Sequence, residues 1–228
     1  MEISIGEHWI CHIGGMSVHM DTLVTMWITM GLLIIAAFIM TRKLSIVPEK
    51  AQTLAEIIMG YFMGLTDNMG EEGKKHVPLL ATLFLFIISA NLIGQLPWRL
   101  YHIKSGGEFA SPTNDLNMTA AMAIIVVIYY IGAGVMKKGP KYFLHYFSPL
   151  PILAPLNMLE DVIRPFSLAL RLFGNILAGE VMILVFVSFF AYFLPLPFML
   201  FEVFVAFIQA LVFTLLTSAY LTLSLKEH

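Results

Sequence analysis

The chain has 228 residues, 59% of them hydrophobic and only 12% charged, with a net charge of -2 and a mean hydropathy of +0.84. A soluble domain of this size carries more polar surface, and several long charge-free runs specify membrane helices rather than a β-barrel. No basic stripe suits nucleic acid, and the single Cys11 excludes an internal disulfide and any cysteine-based metal cluster.

Residues 1–20 form a short mixed segment interrupted by Gly14 and Gly15. It lacks a basic region followed by an apolar core, so the first membrane helix is expected to drive insertion itself. That span is predicted over 22–41 and closes on Arg42 and Lys43. Over 48–70, Ala51, Leu54, Ile57, Ile58, Tyr61, Phe62 and Leu65 recur at helical spacing among polar residues. This predicts an amphipathic helix on the inner membrane surface. The charged turn Glu71–Lys75 leads into a second span, 77–97, where Asn91 and Gln95 share one face. Such amides suit either interhelical hydrogen bonds or a polar path.

A polar loop over 98–116 precedes the third span, 117–136. Asp115 is suited either to cap that helix or to line an outer vestibule. Lys137, Lys138 and Lys141, followed by Tyr142, Phe143, Tyr146 and Phe147, mark a membrane interface. Pro149, Pro151 and Pro155 predict an irregular approach, and 157–165 reads as a short polar segment with Glu160, Asp161 and Arg164. A long helical hairpin then covers 165–225, its turn marked by Pro195 and Pro197.

The expected architecture is an all-α integral membrane protein forming a single membrane domain. It has five transmembrane helices, an amphipathic surface helix and a long C-terminal helical hairpin. Each arm of the hairpin is roughly 28 residues, or about 42 Å of helix. That exceeds a ~30 Å hydrocarbon core and predicts strong tilt. With the N-terminus outside, Arg42, Lys43, Lys50, Lys74, Lys75, Lys137, Lys138, Lys141, Arg164 and Lys226 fall inside, against Arg99 and Lys104 outside. Positive charge favours the cytoplasmic side, which places the C-terminus there too.

Within the hairpin, Arg171 and Glu180 are the charges of the first arm after Pro165. A membrane arginine is costly, about 3 kcal/mol on insertion scales, and ordinarily faces protein or water. At 100° per residue, Ser167, Arg171, Gly174, Asn175 and Ala178 form one stripe, with small residues that let another helix approach. Glu180 lies half a turn away and ~13 Å further outward, too far for a helical salt bridge. In an antiparallel hairpin, residues at equal depth have a constant index sum. Glu180 therefore levels with Glu202, Arg171 with Gln209, and Ser167 with Thr214. Two carboxylates in one confined site share a proton. Arg171 does not deprotonate, so it blocks a proton wire, and Gln209 offers it an acceptor without neutralising it. The carboxylate on which Arg171 acts is then expected from a partner.

The stretch Ser167-Leu-Ala-Leu-Arg171-Leu-Phe-Gly-Asn175-Ile-Leu-Ala-Gly-Glu180 resembles subunit a of the F-type rotary ATP synthase. So do Glu202 and Gln209 on an arm ending in Leu-Thr-Ser-Ala-Tyr220, the segment Asn91-Leu-Ile-Gly94-Gln-Leu-Pro97, and Asp115-Leu-Asn117-Met-Thr119. The resemblance touches most of the chain. It implies a non-catalytic, proton-conducting stator subunit in a bacterial plasma (inner) membrane. Its partners would be a c-ring, peripheral-stalk b subunits and lipid, with no nucleic acid, cofactor or metal. Arg171 would separate two offset half-channels that serve the ring carboxylates. Asn175 and Gln209 would flank it, and Glu180 and Glu202 would line the outer half-channel, where many relatives have a histidine at one position. Ser167 and Asp115 complete the expected proton path.

Three other functions fit less well. A self-contained transporter, with Arg171 binding an anionic substrate, would carry inverted repeats and broken helices. An intramembrane enzyme would carry a nucleophile with its base or an H-E-x-x-H motif. A purely structural scaffold does not account for ionisable residues at matched depth. His12, His19, His76, His102 and His145 lie at ends or in loops and predict no metal site.

Overall fold

The computed structural model describes residues 10–13, 16–42, 44–46, 48, 50–95, 111–140, 142, 152, 154–189 and 195–226. The start of the N-terminal segment, most of the 98–116 loop, Lys141, the aromatic run after Tyr142, Pro149 and Pro151 lie outside these residues. The architecture is helical, with five helices long and apolar enough to cross a membrane. Ahead of them sits a small antiparallel hairpin, β1 (Ile10–Ile13) and β2 (Met16–His19), in the register Ile10 to His19. The sequence reading anticipated no strand there. Gly14 and Gly15, which join the two strands in sequence, lie outside the described residues.

Helix α1 runs Met20–Thr41. Asp21 in its first turn complements the helix dipole. Asp21, Thr22, Thr25 and Thr29 are buried, while Trp27, Ile34 and Phe38 are more than 60% exposed. The small polar side of the helix thus faces protein and the bulky apolar side faces outward, the arrangement that lipid rewards. Two of these hydroxyls are satisfied within the helix: Thr25 Oγ1 donates to the Asp21 carbonyl at 2.9 Å, and Thr29 Oγ1 to the Thr25 carbonyl at 2.8 Å.

Helix α2, Lys50–Thr66, is too short and too polar to count among the spans. Gln52 ties its start to the preceding chain through both the Ser45 N–H and carbonyl. Phe62 packs on Phe84 of helix α3 with ring centroids 5.5 Å apart. Two 3-10 turns, Asp67–Met69 and Glu71–His76, then lead into α3 (Val77–Gln95).

A third 3-10 turn, Pro112–Asn114, precedes α4 (Leu116–Lys138). Asp115 caps α4 by accepting from the Asn117 N–H at 2.8 Å. Lys137 and Lys138 lie in its last turn, where the dipole favours cations. Helices α5 (Ala154–Phe189) and α6 (Pro195–Leu225) form the antiparallel hairpin. Near its turn, Phe186 stacks on Phe198 at 4.0 Å. The core lies between α3, α4, α5 and α6, around Leu80, Ile87, Val126, Tyr130, Leu172, Phe213 and Leu221.

One boundary departs from the sequence reading. The stretch expected as a separate polar segment over 157–165 is the start of α5, which runs through Pro165 without a break. The charges that suggested a loop satisfy one another along the helix. Arg164 Nη2 donates to Glu160 at 2.7 Å and Nη1 to Asp161 at 3.0 Å, four and three residues back. The arginine also lies over the Tyr220 ring of α6, 5.1 Å from its centroid. These contacts hold the helix across a proline that would otherwise cost about 3 kcal/mol.

Candidate ion-conducting site

Helix α5 presents two faces. Leu168, Ala169, Leu172 and Ile176 are buried in the core, and Leu170, Arg171, Leu177 and Ala178 are exposed. Ser167, Gly174 and Asn175 lie between them, partly exposed. Arg171 is therefore an outward-facing charge on a helix of membrane-crossing length. Among the described residues it makes no hydrogen bond or ion pair. Gln209 on α6 is buried, 6% exposed, and its Nε2 finds no hydrogen-bond partner among the described residues. No hydrogen bond joins it to Arg171. Arg171 is exposed while Gln209 is buried.

Nearer the hairpin turn, Glu202 of α6 reaches the α5 backbone beside Glu180. Glu202 is 7% exposed and its side chain lies directly over Gly179, the residue before Glu180. A Cβ at position 179 would stand 2.4 Å from Glu202 Oε1 and 2.7 Å from its Cδ. With a larger residue there, the Glu202 side chain would have to shift. Glu180, partly buried, accepts a hydrogen bond from Asn114 Nδ2 at 2.7 Å. The index-sum register thus has a physical counterpart, with a glycine cradle on one arm receiving the carboxylate of the other.

Further along α6, Thr214 donates to the Ala210 carbonyl of its own helix. Thr217 does the same to the Phe213 carbonyl at 2.8 Å. The hydroxyl of Thr214 is spent locally rather than shared with Ser167.

Asp115 does more than either of its sequence readings. It caps α4, and its Oδ2 also pairs with His19 Nδ1 at 3.0 Å, linking the head of α1 to the head of α4. Its neighbours form a buried polar knot against α3. Ser111 Oγ donates to the Ala90 carbonyl at 3.1 Å and lies 2.7 Å from Thr113 Oγ1; Thr113 donates to Asn91 Oδ1 at 2.6 Å. Asn91 Nδ2 and both polar atoms of Gln95 have no hydrogen-bond partner among the described residues.

Sequence reasoning did not single out His19, Ser111, Thr113 or Asn114. The dense Ser-Pro-Thr-Asn-Asp run ahead of α4 was the available signal. These are turn and cap residues, and their reach across the bundle is a tertiary matter. A second network, also unforeseen, joins α4 to the C-terminal part of α6. In it Ser224 Oγ donates to the Tyr130 carbonyl at 2.7 Å and Lys137 Nζ to the Leu225 carbonyl at 3.1 Å.

Five helices long and apolar enough to cross a membrane, the last two carrying ionisable groups, define a multi-pass membrane protein. The chain matches the family described as ATP synthase A chain over residues 23–222, and it belongs to that family. It is thus a proton-translocating subunit of the ATP synthase membrane sector, and it assembles with other subunits of that complex.

Proposed function

We propose that this chain is the stator of a rotary proton machine, with two offset half-channels separated by Arg171. Protons enter from outside at the Glu180–Glu202 level and pass to a carboxylate on an adjoining c-ring. After nearly a full rotation they leave towards the cytoplasm. Arg171 meets each incoming ring carboxylate, favours its ionised form and so ejects its proton into the inner half-channel. Because a guanidinium does not deprotonate, no proton short-circuits between the two paths. Asn175 and Gln209 flank the arginine with polar groups that do not neutralise it. Ser167 lies on the inner approach, and Asp115 lies at the outer mouth. ATP synthesis or hydrolysis belongs to other subunits, and peripheral-stalk b subunits hold this one still. The Lys and Arg distribution supports an orientation with the N-terminus outside and the C-terminus in the cytoplasm, and the family resemblance is what suggests a bacterial plasma membrane.

The observation that carries this reading is Arg171, exposed on a membrane-length helix without a counter-ion among the described residues. Such a charge is costly in hydrocarbon, so its partner belongs to another chain. Replacing Arg171 with Ala is expected to abolish ATP-driven proton pumping in membrane vesicles while the complex still assembles. Wild-type pumping in that variant would overturn the proposal.

A further inference from the structure

We propose that Asn114 is a positioning residue for the Glu180 carboxylate, held in place by the locking of segment 111–115 onto α3 and α1. The proposal rests on reading Glu180 as part of the proton path. Asn114 Nδ2 donates to Glu180 Oε2 at 2.7 Å. An amide N–H can only donate, so this bond is strongest towards an ionised carboxylate. The other end of the side chain is not engaged: Asn114 Oδ1 has no hydrogen-bond partner among the described residues. The amide is thus held by the carboxylate and by its own backbone, and by nothing else in the described bundle.

That backbone is anchored on both sides. The Asn114 N–H donates to the Ser111 carbonyl at 2.9 Å. Ser111 and Thr113, 1% and 0% exposed, fasten the turn to Ala90 and Asn91 of α3. Gly94 admits the turn at close range, since a Cβ there would stand 2.2 Å from that of Ser111. Immediately after Asn114, Asp115 is held by its cap on α4 and its pair with His19. A loop merely closing two helices needs no such set of anchors. Here they deliver one amide to the carboxylate next to Gly179, where Glu202 also lies. Asn114 therefore sets the orientation of Glu180 beside the Gly179–Glu202 contact, and with it the pH range over which Glu180 exchanges protons. The charged and titratable groups on the surrounding elements are Glu202 of α6, Asp115 ahead of α4, and His19 and Asp21 at the head of α1. Helix α3 brings only the amides of Asn91 and Gln95.

The test is passive proton flow through the intact membrane sector, in vesicles stripped of the ATP-hydrolysing sector and measured across pH. Asn114→Leu, similar in size but without a donor, is expected to lower flow several-fold and displace the midpoint by about 1 pH unit. Asn114→Gln keeps a donor and is expected to recover much of both. Thr113→Val leaves Asn114 in place but loosens its lock, and is expected to displace the midpoint by a smaller amount. An unmoved midpoint in Asn114→Leu, whether or not the flow falls, would mean a structural role only and overturn the proposal. Should that variant fail to accumulate, an unmoved midpoint in Thr113→Val overturns it instead. Glu180→Gln separates the two levels of inference: normal flow there sinks the proton-path reading itself.

Discussion

At the scale of the residue, the hairpin depends on what is missing as much as on what is present. Gly179 has no side chain, and that vacancy holds the Glu202 carboxylate against the backbone of α5. Overpacking a tight helix contact costs about 1–3 kcal/mol. Gly179→Ala is therefore expected to displace Glu202, slow proton flow and lower the amount of assembled complex. The shorter carboxylate of Glu202→Asp, combined with Gly179→Ala, is expected to recover assembly. Proton-flow assays and quantitation of the chain in membranes read both effects, and a Gly179→Ala variant indistinguishable from wild type would refute the contact. Arg171 and Gln209 illustrate a different point. Residue spacing puts them at one depth, but the burial of Gln209 and the exposure of Arg171 assign them to different faces.

At the scale of the element, α5 shows how a helix survives its own breakers. Proline lacks the donor an interior turn needs, and a run of charges next to it reads as loop. Glu160, Asp161 and Arg164 instead pair along consecutive turns, and Tyr220 of α6 covers the arginine. Hydrogen bonds to charged groups are worth about 1.5–3 kcal/mol, so Arg164→Ala is expected to raise amide exchange over 154–164 by ~10-fold or more. Exchange in α3, far along the sequence and packed elsewhere, is expected to stay unchanged. Uniform protection across α5 in the variant would show that the clamp contributes little. Helix α4 is the plainer case. A capping Asp115 at its start and two lysines in its last turn mark its ends, and the structure extends the expected 117–136 by one and two residues.

At the scale of the whole molecule, polarity is arranged inside out relative to a soluble bundle. Thr22, Thr25 and Thr29 of α1 and Thr214, Thr217, Ser218 and Ser224 of α6 are buried, while large apolar side chains cover the outside. This is the expected result where lipid supplies no hydrophobic drive between helices and close packing must come from small residues. Orientation is a property of the same scale. With Cys11 replaced by Ser, a cysteine introduced at Lys226 is expected to react with a membrane-impermeant reagent only from the cytoplasmic side. Labelling from outside in intact cells would invert the topology inferred from the lysines and arginines.

Composition and hydropathy alone determined the membrane class and the number of long apolar helices, and residue spacing the expected levels of Arg171, Glu180, Glu202 and Gln209. All of these follow from local quantities: transfer free energy summed over a window, and residue spacing along a helix. Tertiary structure alone decided which way each of these side chains faces, and that α5 begins at Ala154. It also decided that Asn114, Ser111, Thr113 and His19 reach the outer carboxylates and their supports. Those contacts join residues as far apart as His19 and Asp115, or Asn114 and Glu180. Single-sequence periodicity carries no information about pairs so distant, because it is the packing of one helix on another that brings them together.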